Sequence, residues 1–373
     1  MRPGEFTRNP MELSEASSSR RGSPERGRKA HWVLIEHYKG KESHDDGNQT
    51  HSEEGNEKGR DVSLEETFSS DIIASRVRLP RKGQLPRIIL LAGACRTGTT
   101  VQFRSFGETG VETYNNHIKS IVRGLERGRE CSFKIPSVEE SGQAIFIKES
   151  IGPRTPAQSQ LDPLKVLLRA NYPLEKLAVI VMSRSPLSTW ASWCEKYSEV
   201  ERMTLLNNFL TAHDTAFTLY QEAKAAGIAT TALAYEAFRD NDPPDVMKRL
   251  FSSVSLPYSD QAIQGWTVIP DPNDLPSHIH VYNHDLGELA MLSQQHIEDM
   301  MKVFMTTGFE YKEKSIDKIT DKIPEKEVAI LENAPVFGQY DQLRQATITD
   351  LGIRVSKTDE VNSYRSRQRE LKS

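Results

Sequence analysis

Residues 93–100, G-A-C-R-T-G-T-T, combine two glycines, an arginine and three threonines directly after an apolar segment. A glycine-bearing turn between a strand and a helix places main-chain N–H groups and the helix N-terminus around an anion. Nucleoside triphosphatases with this spacing carry a lysine where Thr99 stands, and that lysine reaches the β- and γ-phosphates. Here the nearest cation is Arg96, inside the loop. The sequence therefore predicts a phosphate site whose charge is wrongly placed for a γ-phosphate.

The loop resembles the 5′-phosphosulfate loop of sulfotransferases that use 3′-phosphoadenosine 5′-phosphosulfate (PAPS). In that family the loop reads P-[KR]-[ST]-G-T-T, and C-R-T-G-T-T matches it with Cys95 in the place of the proline. The resemblance implies PAPS as the co-substrate. The implied contacts of its phosphosulfate are Arg96, Thr97, Gly98, Thr99 and Thr100.

A second stretch, S-R-S-P-L-S-T-W-A-S-W, resembles the 3′-phosphate motif of the same family. That motif is Arg-x-Pro with a serine eight residues after the arginine, and Arg184, Pro186 and Ser192 fit it. A bidentate guanidinium and a hydroxyl suit a phosphate monoester. Ser185 stands where the family usually has aspartate. The resemblance implies that Arg184 and Ser192 bind the 3′-phosphate.

A third stretch, residues 232–243, resembles the family's tyrosine-glutamate-aspartate-leucine segment, and residues 250–258 resemble the segment that follows it. Tyr235 is then expected at a strand end near the adenine. The three motifs cover residues 87–260 in the family's order. The resemblance implies the phosphate-loop sulfotransferase fold, an α/β fold with a parallel sheet flanked by helices.

The implied reaction transfers a sulfuryl group from PAPS to a hydroxyl or amine of a small-molecule acceptor. Negative charge grows on the leaving phosphate, where a cation and N–H donors stabilise it. Arg96 would be that cation, and the scheme requires no metal. Lys148 ends the apolar run A-I-F-I-K, and a lysine at the carboxyl end of a buried parallel strand faces the ligand crevice. The resemblance implies that Lys148 contacts the transferring group; the alternative is a strand-end lysine in solvent.

The general base has several candidates. Cytosolic members of the family use a histidine two residues after that lysine, where this chain has Ser150. Other branches use a glutamate after the first helix, and F-G-E-T-G-V-E-T-Y-N-N-H contains Glu108, Glu112 and His117. Glu112 is the expected base, because T-G-V-E-T-Y resembles the acidic segment of bacterial and carbohydrate-modifying members. His117 is the second candidate.

Other side chains are candidates for an acceptor site or for a metal site. His278, His280 and His284 lie in a proline- and aspartate-rich stretch predicted to be a long loop or lid. Without a paired cysteine or carboxylate, this group is expected to be a substrate-side loop and not a metal site. Three tryptophans are candidates either for an apolar acceptor site or for the core: Trp190, Trp193 and Trp266.

The elements that must position these residues follow from the apolar pattern. Four short apolar runs, residues 87–94, 144–148, 177–183 and 228–235, are typical of parallel strands buried on both faces. Residues 115–126 and 201–227 have helical spacing of apolar residues, and so do two stretches after Pro243. Alternating strands and helices predict an α/β sheet with right-handed crossovers.

Composition bounds the rest of the chain. Residues 1–80 are mostly polar, so this segment is expected to be largely disordered. The apolar island His31–Tyr38 within it is either a docked strand or a partner-binding motif. The α/β domain is expected over residues 85–315, followed by a polar C-terminal extension over 316–373.

Charge and cysteine content exclude several classes of protein. The net charge is -4 among 373 residues, which argues against a nucleic-acid-binding protein. No run approaches the ~20 apolar residues of a membrane helix. Three cysteines without ligand spacing, and an N-terminus without an apolar signal core, indicate a cytoplasmic location.

Two alternatives remain at this stage. One is a kinase-like nucleotide-binding protein with a degenerate phosphate loop, against which the missing lysine and the Arg184 and Ser192 pair argue. The other is a non-catalytic binding protein that keeps the sulfotransferase fold. Ser150, in the place of the catalytic histidine of cytosolic members, leaves this second alternative open.

Overall fold

The computed structural model describes residues 68–281, 298 and 300–372. The expectations for the N-terminal tail up to residue 67, for the segment His31–Tyr38 and for His284 lie outside these residues. The strands are β1 (Val77–Arg78), β2 (Arg87–Ala94), β3 (Glu112–Asn115), β4 (Phe133–Lys134), β5 (Ala144–Ile151), β6 (Leu177–Ser183), β7 (Ala229–Ala234) and β8 (Ile279–His280). The helices are α1 (Ser70–Ala74), α2 (Thr99–Gly107), α3 (His117–Leu125), α4 (Val138–Ser141), α5 (Pro156–Ser159), α6 (Pro163–Arg169), α7 (Pro186–Lys196), α8 (Arg202–Ala225), α9 (Ala237–Asp240), α10 (Pro243–Ser253), α11 (Ile316–Lys322), α12 (Glu325–Asn333), α13 (Val336–Leu351) and α14 (Glu360–Lys372).

Six strands form one parallel sheet in the order β7-β6-β2-β5-β3-β8, while β1 and β4 form a separate parallel pair. The predicted α/β class, a parallel sheet flanked by helices, is confirmed. The four predicted strands correspond to β2, β5, β6 and β7, at the centre and one side of the sheet. Strands β3 and β8 were not predicted, because one is polar and the other has only two residues.

Both faces of the sheet are covered, which explains the uninterrupted apolar runs. Along β2, Ile88 and Leu90 belong to one core cluster, whereas Ile89 and Leu91 belong to the other. Side chains alternate between the faces of a strand, so each run supplies both cores. Helices α3, α7 and α8 pack on the first face and α2 and α10 on the second.

The C-terminal helices are built into this domain. Asp350 and Thr347 of α13 accept hydrogen bonds from the N–H groups of Ala232 and Ala234 on the edge strand β7, each at 2.9 Å. An uncovered edge strand presents unpaired N–H groups, so α13 closes this edge. The segment that the sequence separates as a polar extension also adds buried side chains to the first core cluster, among them Ile319, Leu331, Leu343 and Tyr364.

Candidate functional site

The phosphate loop joins the end of β2 to the start of α2. Arg96 and Gly98 have left-handed backbone angles, with φ of 72° and 100°. The hydroxyl of the buried Thr97 donates to the Ala94 carbonyl at 2.8 Å and closes the turn. A Cβ on Gly93 would lie 2.6 Å from the Met182 carbonyl oxygen, so only glycine lets β6 approach here. The first-turn N–H groups of α2 have no intrahelical acceptor and can bind an anion.

Arg96 and Ser192, which are 96 residues apart, meet at this loop. The exposed Arg96 side chain donates from Nε to Oγ of Ser192 at 3.0 Å. Ser192 lies buried on α7, and the neighbouring Trp193 donates from its indole nitrogen to the Cys95 carbonyl at 2.6 Å. The two sequence motifs become neighbours because β2 and β6 are adjacent parallel strands, so their carboxyl ends coincide.

Tyr235 and Arg184 complete the same cluster. The Tyr235 ring packs so close to Gly98 that a Cβ on Gly98 would lie 2.7 Å from the ring. The half-buried Arg184 guanidinium lies over that ring, 4.8 Å from its centroid. The structure thus brings together the loop, Ser192, Arg184 and Tyr235.

Two residues that sequence reasoning missed hold this cluster. The N–H of Lys312 donates to the Tyr235 hydroxyl at 3.1 Å, and Nη2 of Arg184 donates to the Lys312 carbonyl at 3.1 Å. The Tyr311 ring stacks on that of Tyr235 with centroids 4.9 Å apart. The aromatic and basic stretch F-E-Y-K-E-K was the available signal in the sequence, although it has no spacing that identifies a partner.

Lys148 lies behind the loop and not in solvent. Its side chain is fully buried, and Nζ donates to Oδ1 of Asn115 at 2.9 Å. Burial lowers the pKa of Lys148 to about 7. Two residues further along β5, the Ser150 hydroxyl lies 3.1 Å from that of Thr99. Residues two apart in a strand share a face and lie ~7 Å apart. Lys148 therefore lies on the same face of β5 as Ser150, one such step behind the contact between Ser150 and Thr99.

A second buried lysine supports the loop from the other face of the sheet. Lys119 donates from Nζ to the carbonyls of Ser150, at 2.7 Å, and Gly152, and it lies 3.8 Å from Sγ of Cys95. Burial lowers its pKa to about 8. Glu149 accepts from the N–H groups of Ile118 and Lys119 at the start of α3, and burial raises its pKa to about 7. Sequence reasoning missed both residues.

The structure does not bring the expected base, Glu112, together with the loop. Glu112 begins β3 opposite Ile145, whereas the loop follows Ala94, which lies opposite Ile151. Ile145 and Ile151 are six residues apart on β5, so Glu112 and the start of the loop are roughly 20 Å apart along the strand direction. A general base must lie within hydrogen-bond reach of the proton that it takes, so this position does not suit that role. Instead Glu112 accepts from the Tyr114 hydroxyl at 3.2 Å and pairs with Nε2 of His280.

The two other candidates for the base have packing partners of their own. His117 is buried, and its ring packs edge-on against Tyr114 with centroids 5.1 Å apart. Glu108 forms an ion pair with Arg104 just after the end of α2, where burial raises its pKa.

The histidines of the predicted lid are partly in β8. The His280 ring stacks on Tyr114 at 4.5 Å, and Nε2 of His278 lies 2.9 Å from the Gly107 carbonyl. Among the residues that the structure describes, no group of three or more histidine, cysteine or acidic side chains is arranged to hold a metal ion.

The tryptophans considered for an acceptor site are core residues. Trp190 and Trp193 are fully buried, and Trp190 donates to Oε2 of Glu327 at 2.9 Å. Trp266 is also buried and donates to the Gln261 carbonyl at 2.7 Å.

Across the described helices, none has both the length and the apolar character needed to cross a membrane.

No family model matches the sequence, and no curated protein matches it. Among solved structures, the sulfotransferase domain from the curacin biosynthetic pathway is similar, with a TM-score of 0.35 and 14% sequence identity. The similarity covers 67% of this chain and 98% of that domain.

Proposed function

We propose that the protein is a PAPS-dependent sulfotransferase that moves a sulfuryl group to a hydroxyl or amine of a small-molecule acceptor. The observation that carries the proposal is the meeting of Arg96, Arg184, Ser192 and Tyr235 beside the loop. These residues come from three separate stretches of sequence, and each stretch resembles a different donor-binding motif of one family. If the resemblance of each stretch were due to chance, nothing would require the three stretches to lie side by side in the folded protein.

The polar groups at the loop suit a donor with two phosphate positions. The loop N–H groups and Arg96 would hold the 5′-phosphosulfate. Arg184 uses one nitrogen on Lys312, and a guanidinium has five N–H donors, so others remain for a 3′-phosphate. The Ser192 hydroxyl accepts from Arg96 and keeps its own proton to donate. Tyr235 would border the adenine.

In the proposed reaction the acceptor oxygen or nitrogen forms a bond to sulfur while the bond from sulfur to the 5′-phosphate oxygen breaks. The acceptor loses its proton, and adenosine 3′,5′-bisphosphate leaves. Arg96 and the loop N–H groups would lie where the leaving phosphate gains charge, and donors aimed at developing charge lower the barrier most. Lys148 is buried just behind Thr99 and Ser150 and would add positive charge when protonated.

The test is calorimetric titration of the wild type and Arg184→Ala with adenosine 3′,5′-bisphosphate and with adenosine 5′-phosphosulfate, which lacks the 3′-phosphate. Loss of a charge-assisted bond costs about 1.5–3 kcal/mol, roughly ten- to a hundredfold in affinity. We expect this loss for the 3′-phosphorylated ligand alone.

Arg249→Ala is the matched control, since Arg249 also donates to a main-chain carbonyl, that of Leu351, at 3.1 Å. It should leave both affinities unchanged. The proposal is wrong if the wild type does not prefer the 3′-phosphorylated ligand, or if Arg184→Ala weakens both ligands equally. Preference for ATP with magnesium would favour a kinase-like protein instead. A screen of acceptors with labelled PAPS then identifies the acceptor.

A further inference from the structure

The C-terminal helix α14 places a buried carboxylate, that of Glu360, at the start of α7. Most of α14 is exposed, and its buried residues are Glu360 and, one turn later, Tyr364. The Tyr364 hydroxyl donates to the Ile323 carbonyl at 2.8 Å and anchors the helix to the end of α11. Glu360 points instead to the first turn of α7, more than 160 residues earlier in the chain.

The Glu360 carboxylate accepts hydrogen bonds from the N–H of Leu187 at 3.0 Å, the N–H of Ser188 at 3.3 Å and the hydroxyl of Ser188 at 2.7 Å. It also accepts from the hydroxyl of Ser185. The first N–H groups of a helix lack intrahelical acceptors, and a carboxylate there satisfies them and complements the helix dipole. The residue at the N-cap position normally does this itself.

Here the N-cap residue does not cap its own helix. Ser185 occupies that position, and its hydroxyl makes no capping hydrogen bond. Pro186 follows it and has no N–H to satisfy. The N–H of Ser185 itself donates to Oε1 of Glu236 at 2.9 Å. The capping carboxylate of α7 is therefore supplied by Glu360 from the far end of the chain.

The helix held in this way carries Ser192 and begins just after Arg184, the two residues expected to bind the 3′-phosphate. Arg184 directly precedes the N-cap residue, and Ser192 lies two turns into α7, where it meets Arg96. A rotation or fraying of the first turn would move Arg184 away from the Tyr235 ring.

We propose that Glu360 is a positioning residue of the donor site, which holds the N-terminus of α7 so that Arg184 and Ser192 face the 3′-phosphate. This inference rests on the proposed function for the identity of the ligand. It makes the C-terminal segment a part of the donor site and not an appendage.

The experiment compares Glu360→Ala with Tyr364→Phe in the full-length protein. Tyr364→Phe removes the hydrogen bond from α14 to the Ile323 carbonyl without touching α7, so it reports the effect of looser docking alone. Two quantities are measured, namely hydrogen exchange of the amides in peptides covering residues 185–192, and the ratio of affinities for adenosine 3′,5′-bisphosphate and adenosine 5′-phosphosulfate. We expect Glu360→Ala to speed exchange at Leu187 and Ser188 and to lower the ratio about tenfold, whereas Tyr364→Phe changes neither.

A rescue variant separates capping from general stability. Ser185→Asp places a carboxylate at the N-cap position itself, so the double variant Ser185→Asp/Glu360→Ala should recover most of the lost preference for the 3′-phosphate. The inference is overturned if Tyr364→Phe reproduces the effect of Glu360→Ala, or if the ratio does not change. If the wild type has no preference for the 3′-phosphate, the proposed function fails. In that case, unchanged hydrogen exchange at Leu187 and Ser188 in Glu360→Ala would also refute the claim that Glu360 stabilises the first turn of α7.

Discussion

Replacing Gly98 by alanine tests how tightly the phosphate loop packs against Tyr235. Gly98 has a φ of +100°, and an added Cβ would lie 2.7 Å from Cδ2 of the Tyr235 ring. Carbon atoms pack at about 3.5–4.0 Å, so the ring must move by roughly 1 Å. The left-handed backbone alone costs a residue with a Cβ about 1–2 kcal/mol.

Tyr235 has little room to move. Its hydroxyl accepts from the Lys312 N–H at 3.1 Å, and its ring stacks on Tyr311. Breaking that hydrogen bond costs about 1 kcal/mol, and forcing extra atoms into a packed site costs about 1–3 kcal/mol. Together with the backbone strain, we expect Gly98→Ala to lower the free energy of unfolding by about 3–6 kcal/mol.

Gly110→Ala is the matched control. Gly110 has a φ of +80°, but nothing lies within 4 Å of the position that its Cβ would take. This variant should therefore show the backbone strain alone, about 1–2 kcal/mol. Urea unfolding followed by circular dichroism gives both values, and titration with adenosine 3′,5′-bisphosphate shows whether the donor site is damaged. If Gly98→Ala costs no more than Gly110→Ala, the argument from the Tyr235 contact is refuted.

Two further predictions concern charge. Burial lowers the pKa of Lys148 to about 7. Between about pH 7 and 10 the unfolded chain therefore keeps a proton on this lysine that the folded protein has lost. The contribution of Lys148 to the free energy of unfolding then rises with pH over this range. Lys148→Met should be more stable than wild type at pH 6, with a gain that shrinks towards pH 10 in urea unfolding; a constant gain would contradict the shift. Sulfuryl transfer should survive EDTA, because the scheme uses Arg96 and loop N–H groups; a loss restored by a divalent ion would contradict it.

The central strands and the motifs beside them were predictable because their signals are local. The runs that form β2 and β6 are short and apolar, and the structure has them at the predicted bounds. The glycine-bearing turn after β2 and the arginine and proline after β6 then lie at strand ends. A parallel sheet brings such ends to one edge.

The edge of the sheet and the expected base were not predictable in the same way. Strand β3 has the polar sequence E-T-Y-N, and it is a strand because β5 and β8 offer hydrogen-bond partners on both sides. Glu112 was expected at the loop from a resemblance in sequence. Its place at the amino end of β3 depends on the register with β5, which no local pattern specifies.

The strands and helices at the centre of the domain, and the side chains at their ends, follow from the amino-acid pattern, because hydrophobic period and turn residues act over a few neighbours. Which distant residues meet depends on the packing of the whole chain. Lys312 on Tyr235, Lys119 beneath the loop and Glu360 on α7 each come from a segment with no motif of its own. Their roles arise because a buried polar group needs a partner, and the fold alone determines which partner is within reach.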